Sequence, residues 1–345
     1  MQEKKKKNVL FLDIPFHRKT GSSLFLFQML ESLYEVEICY IDLFKTNYWN
    51  ALDRVSSREY EIVICWQVML PLAELKRRLV FNYAVLFPMY DNIPSIQKPD
   101  KWYSFRGFQI ISFSKTLDQQ LRSIGFSSHY IQYFPKPIKC ENLGDLNSVF
   151  FWNRHENINI NTVTKLLKGS PIQKVHIHKA IDPGNKFLEP NEAWCSYSFS
   201  TWYDKKEEML KDMQAATFYM APRKKEGIGM SFLEAMAMGR CVIAPNLATM
   251  NEYIEHGKTG YLYDVENLQC LTIKKSRKMQ DEVLHYMKAG YKKWESEKLN
   301  ILKWCTEPPK ISKFKLTKAM CIRFFRNPVK LIRSLREDAK SWKDE

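Results

Sequence analysis

No run of 18 or more apolar residues occurs in this 345-residue chain, so nothing in it reads as a membrane span. No Cys-x-x-Cys pair occurs either. The eight cysteines stand apart at 39, 65, 140, 195, 241, 270, 305 and 321, which removes the zinc-ribbon and dithiol redox classes. Several sit inside apolar runs, where Cys acts as a small hydrophobe, and reduced thiols are expected. Self-similarity at a period of 20–50 residues is missing, and low complexity is confined to Lys4–Lys7. No carboxylate cluster suggests a divalent ion, so neither a metal nor another cofactor is expected. The opening MQEKKKKNVLFLDIP is basic and then apolar, yet it lacks the longer apolar region and small-residue cleavage site of a signal peptide. Val9-Leu10-Phe11-Leu12 reads instead as a first buried strand.

What is present is a chain long enough for two domains, with 45% hydrophobic residues. Short apolar runs at 8–12, 37–41, 62–66, 83–87, 109–113 and 129–133 alternate with helical patterns such as 22–34 and 114–124, the latter with Ser114 as N-cap. Near-continuous apolar strands separated by helices predict a parallel sheet covered on both faces. Pro135, Pro137 and Gly144, with polar residues at 139–148, predict a linker. A second series follows, with strands at 148–152, 174–178, 193–199, 216–221 and 241–244. Its helices are expected near 159–168, 205–214, 230–238 and 248–255, and 276–304 reads as helical throughout. Asn327-Pro328 reads as the start of a last helix, 328–342.

The most informative stretch is 226–262, EGIGMSFLEAMAMGRCVIAPNLATMNEYIEHGKTGYL. Glu226 and Glu234 stand eight positions apart around Gly227-Ile228-Gly229 and a helical run starting near Met230 or Ser231. Glycines without Cβ let backbone approach a ligand closely. The first helical amides lack partners inside the helix and, with the helix dipole, favour an anion such as a diphosphate. Glu226 precedes the helix, where it can reach over its mouth. Glu234 is expected in the first turn, where it can accept from a ribose hydroxyl.

This stretch resembles the E-x7-E signature of retaining GT-B glycosyltransferases of family 4, the glycosyl transferases group 1 set. Leu233-Glu234-Ala235-Met236-Ala237-Met238-Gly239 resembles "LEAMAxG", Cys241–Ala244 the strand that follows, and Glu252 with Gly257–Leu262 resembles "E…GxTGxL". The resemblance is close over 193–264, moderate over 108–137 and loose over 8–105. It implies an α/β GT-B fold: two doubly wound Rossmann-like domains with a cleft between them, 1–140 for the acceptor and 141–305 for the nucleotide-sugar. A basic amphipathic tail, 306–345, follows. It also implies roles. Glu226 lies at the donor sugar and offsets positive charge at the anomeric carbon, Glu234 takes the ribose, and Gly227, Ile228, Gly229 and Met230 carry the donor-binding backbone. Phe151-Trp152-Asn153-Arg154 resembles the family's "GR" after the first strand of the donor domain. Arg154 fits the Arg, while Asn153 replaces the Gly and Asn159 the expected Lys. Arg223, Lys224 or Lys225 are candidates for the second cation. Gly21 and Ser22, after the first strand, occupy the place of the family's acceptor or phosphate loop, and Asp91 that of a His or Asp touching donor or acceptor. His176 and His178 alternate on an apolar strand and read as core or edge residues.

The net charge of +15 is uneven. Residues 274–345 hold twenty Lys/Arg against nine Asp/Glu. Within 310–336 nine bases and no acid interleave with Phe314, Leu316, Met320, Ile322 and further apolar residues. That mixture suits an anionic membrane surface, and it also suits a helix packing one face on the protein. No recognised nucleic-acid motif accompanies the charge, so nucleic acid is not an expected partner. The expected protein is a cytoplasmic enzyme, peripheral on the inner membrane face. It moves a hexose-type sugar from a nucleoside-diphosphate sugar to a saccharide or lipid-linked acceptor in surface polysaccharide or glycolipid synthesis. Two alternatives stay open: a degraded GT-B scaffold that binds nucleotide or glycan, and a nucleotide-sugar epimerase.

Overall fold

The structure is a computed structural model; it describes residues 6–93, 98–140, 142–182 and 184–326, with backbone alone for 323–326. The expected last helix at 328–342 lies outside the described residues. The chain divides into two compact units. Residues up to Ile131, together with those from Lys298 onward, make the first, and Gln132–Glu297 make the second.

Each unit is built on a six-stranded, fully parallel sheet. In the first, β1 (Asn8–Asp13), β2 (Glu35–Tyr40), β3 (Glu59–Trp66), β4 (Val80–Phe87), β5 (Gln109–Ser112) and β6 (Ser128–Tyr130) run in the order β2-β1-β3-β4-β5-β6. The connecting helices are α1 (His17–Thr20), α2 (Leu24–Glu31), α3 (Leu72–Arg78), α4 (Pro99–Tyr103) and α5 (Lys115–Ser123). Val9 to Leu12 are wholly buried, because helices cover both faces and every side chain of the strand meets apolar surface. An aromatic layer fixes one face: Phe11 stacks on Trp66, which meets Phe87 and Phe113, and Phe25 of α2 closes on Trp66 and Phe113 edge-on. Truncating so large a buried ring costs about 3–5 kcal/mol. Ser114 caps α5, its hydroxyl accepting from the Leu117 amide, as its position before the helical pattern predicts.

In the second unit β7 (Asp145–Trp152), β8 (Lys174–His178), β9 (Ser196–Ser200), β10 (Ala216–Met220), β11 (Cys241–Pro245) and β12 (Gly260–Tyr263) run in the order β12-β11-β10-β7-β8-β9. Helices α6 (Ile160–Leu167), α7 (Lys206–Ala215), α8 (Met230–Ala237) and α9 (Arg277–Glu297) accompany them. The strand β12 is absent from the sequence reading. Its four residues, Gly-Tyr-Leu-Tyr, are too short for a clear periodicity, and pairing with β11 makes the strand. The helix expected at 248–255 is a single 3₁₀ turn, Met250–Glu252. The loop after it closes on itself at once, with the Glu255 amide donating to Thr259 Oγ1 and the Gly257 amide to the Gly260 carbonyl, so no longer helix forms.

The helical run 276–304 breaks into α9 and α10 (Asn300–Trp304), and the chain then returns to the first unit. Trp304 stacks on His129 at 4.5 Å between ring centres. The Ser127 amide donates to the Lys310 carbonyl, and α11 (Lys313–Arg326) lies over α4. Leu316 is 3% exposed, and Ala319 and Met320 join it against a core that holds Trp102 and Phe126. The i, i+3, i+4 spacing puts all three on one face. Phe314, 77% exposed, and Ile322, 45% exposed, face outward near Lys315 and Lys318. No helix among the described residues is long and apolar enough to cross a membrane.

Candidate active site

In an open parallel sheet the ligand crevice forms beyond the carboxyl ends of the strands, where the chain order reverses. In the second unit that place is β7 and β10, which are paired in parallel with Phe151 opposite Met220. The chain leaves β7 toward β8 on one side and leaves β10 toward β11 on the other. The residues that follow these two strands are Asn153-Arg154 and the loop 221–229.

That loop delivers Glu226, Gly227 and Ile228, all buried, and ends at Gly229 (φ 83°, ψ 48°), the N-cap of α8. Only glycine fits there. The backbone is left-handed, and a Cβ would lie 1.9 Å from Phe232 Cε1. Phe232 is wholly buried, so its ring cannot yield. Gly229 contributes no capping side chain, and the first amides of α8, from Met230 onward, are left without helical acceptors. Thr249, also wholly buried, pins the loop from below, with Oγ1 donating to the carbonyls of Glu226 and Gly227. Glu226 itself is 7% exposed.

Glu234 is the fifth residue of α8, one turn further in than the sequence suggests. Burial pushes its carboxyl above the usual range, against the opposing pull of Lys206. The Lys206 ammonium, on the first turn of α7, donates to Glu234 Oε1.

Two arginines converge on one carboxylate. Arg154 Nε and Nη2 both donate to Asp182 Oδ1, at 3.1 and 2.9 Å, and Arg223 Nη2 donates to Asp182 Oδ2. Arg154 also lies over the Trp152 ring at 4.8 Å. Burial alone would raise the Asp182 carboxyl, but the two guanidinium groups outweigh it and hold it below the ordinary carboxylate range. A second feature points the same way. Asn153 is 1% exposed and its Nδ2 has no hydrogen-bond partner among the described residues. A buried amide donor beside a doubled guanidinium is chemistry suited to anionic oxygens.

Of the sequence-derived candidates, Arg154, Arg223, Glu226 to Met230 and Glu234 therefore lie on the elements at the carboxyl edge of this one sheet. Asp182 and Lys206 carry no signal in the sequence. They sit in stretches without a motif, and only the parallel register of β7 with β8 and the start of α7 bring them in. Arg240, inside the motif, has another role: it is 1% exposed and its guanidinium is bound to backbone carbonyls. Gly21, Ser22 and Asp91 belong to the first unit. Gly21 caps α1 in a left-handed turn (φ 63°) with open space where a Cβ would be, and Ser22 Oγ lies 3.2 Å from Thr20 Oγ1. Asp91 sits in the turn Tyr90–Asn92 after β4.

His176 and His178 extend from β8 into a polar cluster. His176 Nδ1 and Nε2 meet Ser198 and Ser200, and His178 Nδ1 meets Ser200. Burial lowers the pKa of His178 to about 4. Among the described residues no three His, Cys, Asp or Glu side chains gather as a metal site.

Residues 189–281 match the sequence model of the family described as glycosyl transferases group 1. No curated protein sequence matches. Among solved structures, sucrose-phosphate synthase from Thermosynechococcus elongatus superposes with a TM-score of 0.61 at 11% identity, covering 86% of this chain and 98% of that one. HepE of Anabaena, solved in complex with UDP, gives 0.51 at 14% identity over 97% and 100%. The lipopolysaccharide outer core galactosyltransferase WaaB gives 0.51 at 12% identity over 85% and 100%. At such identities the likeness is one of fold. Two doubly wound parallel units of this kind define the class, the GT-B fold. The segment similar to the glycosyl transferases group 1 family lies within the second unit.

Proposed function

We propose that the protein moves a hexose-type sugar, with retention, from a nucleoside-diphosphate sugar to a saccharide or lipid-linked acceptor in surface polysaccharide or glycolipid synthesis. The observation that carries this is the convergence of Arg154 and Arg223 on one carboxylate, on the loops flanking the β7/β10 switch point, with the Arg223 loop feeding the N-terminus of α8. Two guanidinium forks and a helix N-terminus suit a diphosphate. Glu234 and Lys206 then face the ribose, and Glu226 the anomeric carbon. In the reaction the bond from C1 to the diphosphate oxygen breaks and a bond from C1 to the acceptor oxygen forms. The acceptor proton passes to the departing diphosphate. Arg154, Arg223, Asn153 and the α8 amides stabilise the charge that develops there, and the Glu226 carboxylate offsets positive charge at C1. The fold neighbour solved with UDP and the neighbour that is a lipopolysaccharide galactosyltransferase make uridine donors and a surface saccharide the first candidates. The outward face of α11, with Phe314, Lys315, Lys318 and Ile322, supports residence at an anionic membrane surface.

The test is donor consumption, followed by mass spectrometry over a set of nucleotide-sugars with mixed lipid and saccharide acceptors. One nucleotide-sugar is consumed with release of its nucleoside diphosphate. Glu226→Gln slows that by about 10²–10³. Consumption of none, by folded protein, would sink the reading.

A further inference from the structure

Turns in water are ordinarily built from glycine, proline, asparagine, aspartate and serine. Two turns of the first unit put large apolar residues there instead. After β2, the Lys45 amide donates to the Asp42 carbonyl at 3.0 Å and the Phe44 amide to Asp42 Oδ1 at 3.3 Å. That closes a β-turn with Leu43 and Phe44 at its two central positions. Phe44 is wholly exposed and Leu43 is 39% exposed. After β1, the His17 amide donates to the Ile14 carbonyl at 3.1 Å, which puts Pro15 and Phe16 at the corner, with Phe16 37% exposed. Leu24, the first residue of α2, is 51% exposed. The two turns leave neighbouring strands and are tied together. The Ile41 amide donates to the Asp13 carbonyl at 2.7 Å, and the Arg18 guanidinium lies over the Tyr40 ring at 4.0 Å.

A wholly exposed ring contributes no packing to its own unit, and four apolar side chains on adjoining turns are a cluster rather than scattered single residues. Phe44 is a protrusion and not the wall of a groove, a shape suited to entering a fluid phase. The charge around it has one sign. Within 14–24 and 40–47 the lysines and arginines are Arg18, Lys19 and Lys45, all exposed, and the single acid is Asp42. That acid is engaged by the Phe44 amide and by Lys45 at 3.9 Å. A second copy of the chain on this patch would set like charges against each other. Lipid phosphates are of the opposite sign, and rings rimmed by lysine and arginine match the boundary between headgroups and acyl chains. We infer that the turns at 14–17 and 42–45 dock together on an anionic lipid bilayer, with Phe44 inserted to the level of the acyl chains. This adds a second contact to the membrane residence read from α11 and needs no part of the donor chemistry.

Flotation of the full chain with vesicles of phosphatidylglycerol and phosphatidylcholine tests this, with no nucleotide present. Phe44→Ser melts like wild type, because the ring is wholly exposed, and binds the vesicles roughly 10- to 100-fold more weakly. Phe314→Ala is the comparison for α11. If Phe314→Ala lost binding and Phe44→Ser kept it, the turns would be discarded and the α11 contact would stand. Loss in Phe44→Ser supports the turns. Depth is read with Phe44→Trp and lipids brominated on their acyl chains, where the emission added to that of the nine native tryptophans is quenched. Added emission that stays unquenched, or wild type that binds no vesicle, overturns the inference. So does lipid-free sedimentation in which wild type dimerises and Phe44→Ser does not, since a second copy then covers the turns. The donor reading can fail with every one of these results unchanged.

Discussion

Arg240 follows the motif that carries Glu234, and its guanidinium is committed to backbone carbonyls. Its Nε and Nη2 donate to the Met238 carbonyl at 3.1 and 2.9 Å, Nη1 to those of Gln214 and Ala216 at 2.8 and 3.0 Å, and Nη2 to that of Asn142 at 3.3 Å. Burial lowers its pKa, yet the cluster of carbonyl dipoles keeps a cation acceptable there. Arg240→Met preserves much of the apolar stem but leaves four carbonyls short of a donor, those of Met238 and Ala216 buried and those of Gln214 and Asn142 partly buried. At about 1 kcal/mol net for each, the loss is about 4 kcal/mol. That is a large fraction of the roughly 5–15 kcal/mol typical of a domain. Arg240→Lys keeps the charge but offers one compact ammonium with three donors, so about half the loss is expected, about 2 kcal/mol. Because the chain holds two compact units, a global melt need not be two-state. Hydrogen exchange of the β10 and β11 amides reads the affected unit by itself. If the Met variant protected these strands within about 0.5 kcal/mol of wild type, the structural assignment of Arg240 would fail, since ordinary surface changes fall in that range.

Gly229→Ala is expected to destabilise the second unit by about 2–5 kcal/mol, combining left-handed backbone strain with overpacking against Phe232, and to abolish nucleotide-induced stabilisation; calorimetry with and without UDP checks both. Asp182→Ala leaves Arg154 and Arg223 without the carboxylate they share, so the ligand-free variant melts lower and gains more from UDP than wild type does; an equal UDP gain in both would contradict the shared anion seat. His178 titrates lower when folded than the ordinary imidazole near 6.5, so the unfolded chain takes up its proton first and stability is lost as pH falls from about 6.5 to about 4, by on the order of 3 kcal/mol. A denaturant midpoint followed across that window, steeper in wild type than in His178→Phe, is the expected result. Leu316→Ala, removing the buried anchor of α11, costs about 2–5 kcal/mol in the first unit, whereas Phe314→Ala is near neutral for stability and weakens binding to anionic vesicles.

Much of the fold is written locally. Val9–Leu12, Ile62–Trp66 and Cys241–Ala244 are apolar on successive residues because parallel strands are covered on both faces, and that pattern needs no tertiary knowledge. The loop that carries Glu226 is legible for a similar reason, since Gly227-Ile228-Gly229 marks a turn and acids flank it. What cannot be read is whatever depends on strands being neighbours. Asp182 is 28 residues from Arg154 and 41 from Arg223, and only the register of the sheet joins them. Lys206 meets Glu234 across a comparable gap. The basic segment after 310 has a period that fits either water, lipid or protein. Leu316, Ala319 and Met320 turn inward and Phe314 outward, a choice made by the shape of the core around Trp102.

The central claim is that the second unit holds a nucleoside diphosphate between Arg154, Arg223 and the N-terminus of α8. Calorimetric titration of UDP, GDP, ADP and CMP into wild type, Glu234→Ala and Arg154→Ala tests it most directly. One nucleoside diphosphate binds the wild type, and each substitution weakens it by about 1.5–3 kcal/mol, roughly 10- to 150-fold. Binding of equal strength to all three folded proteins, or to none, would contradict the site.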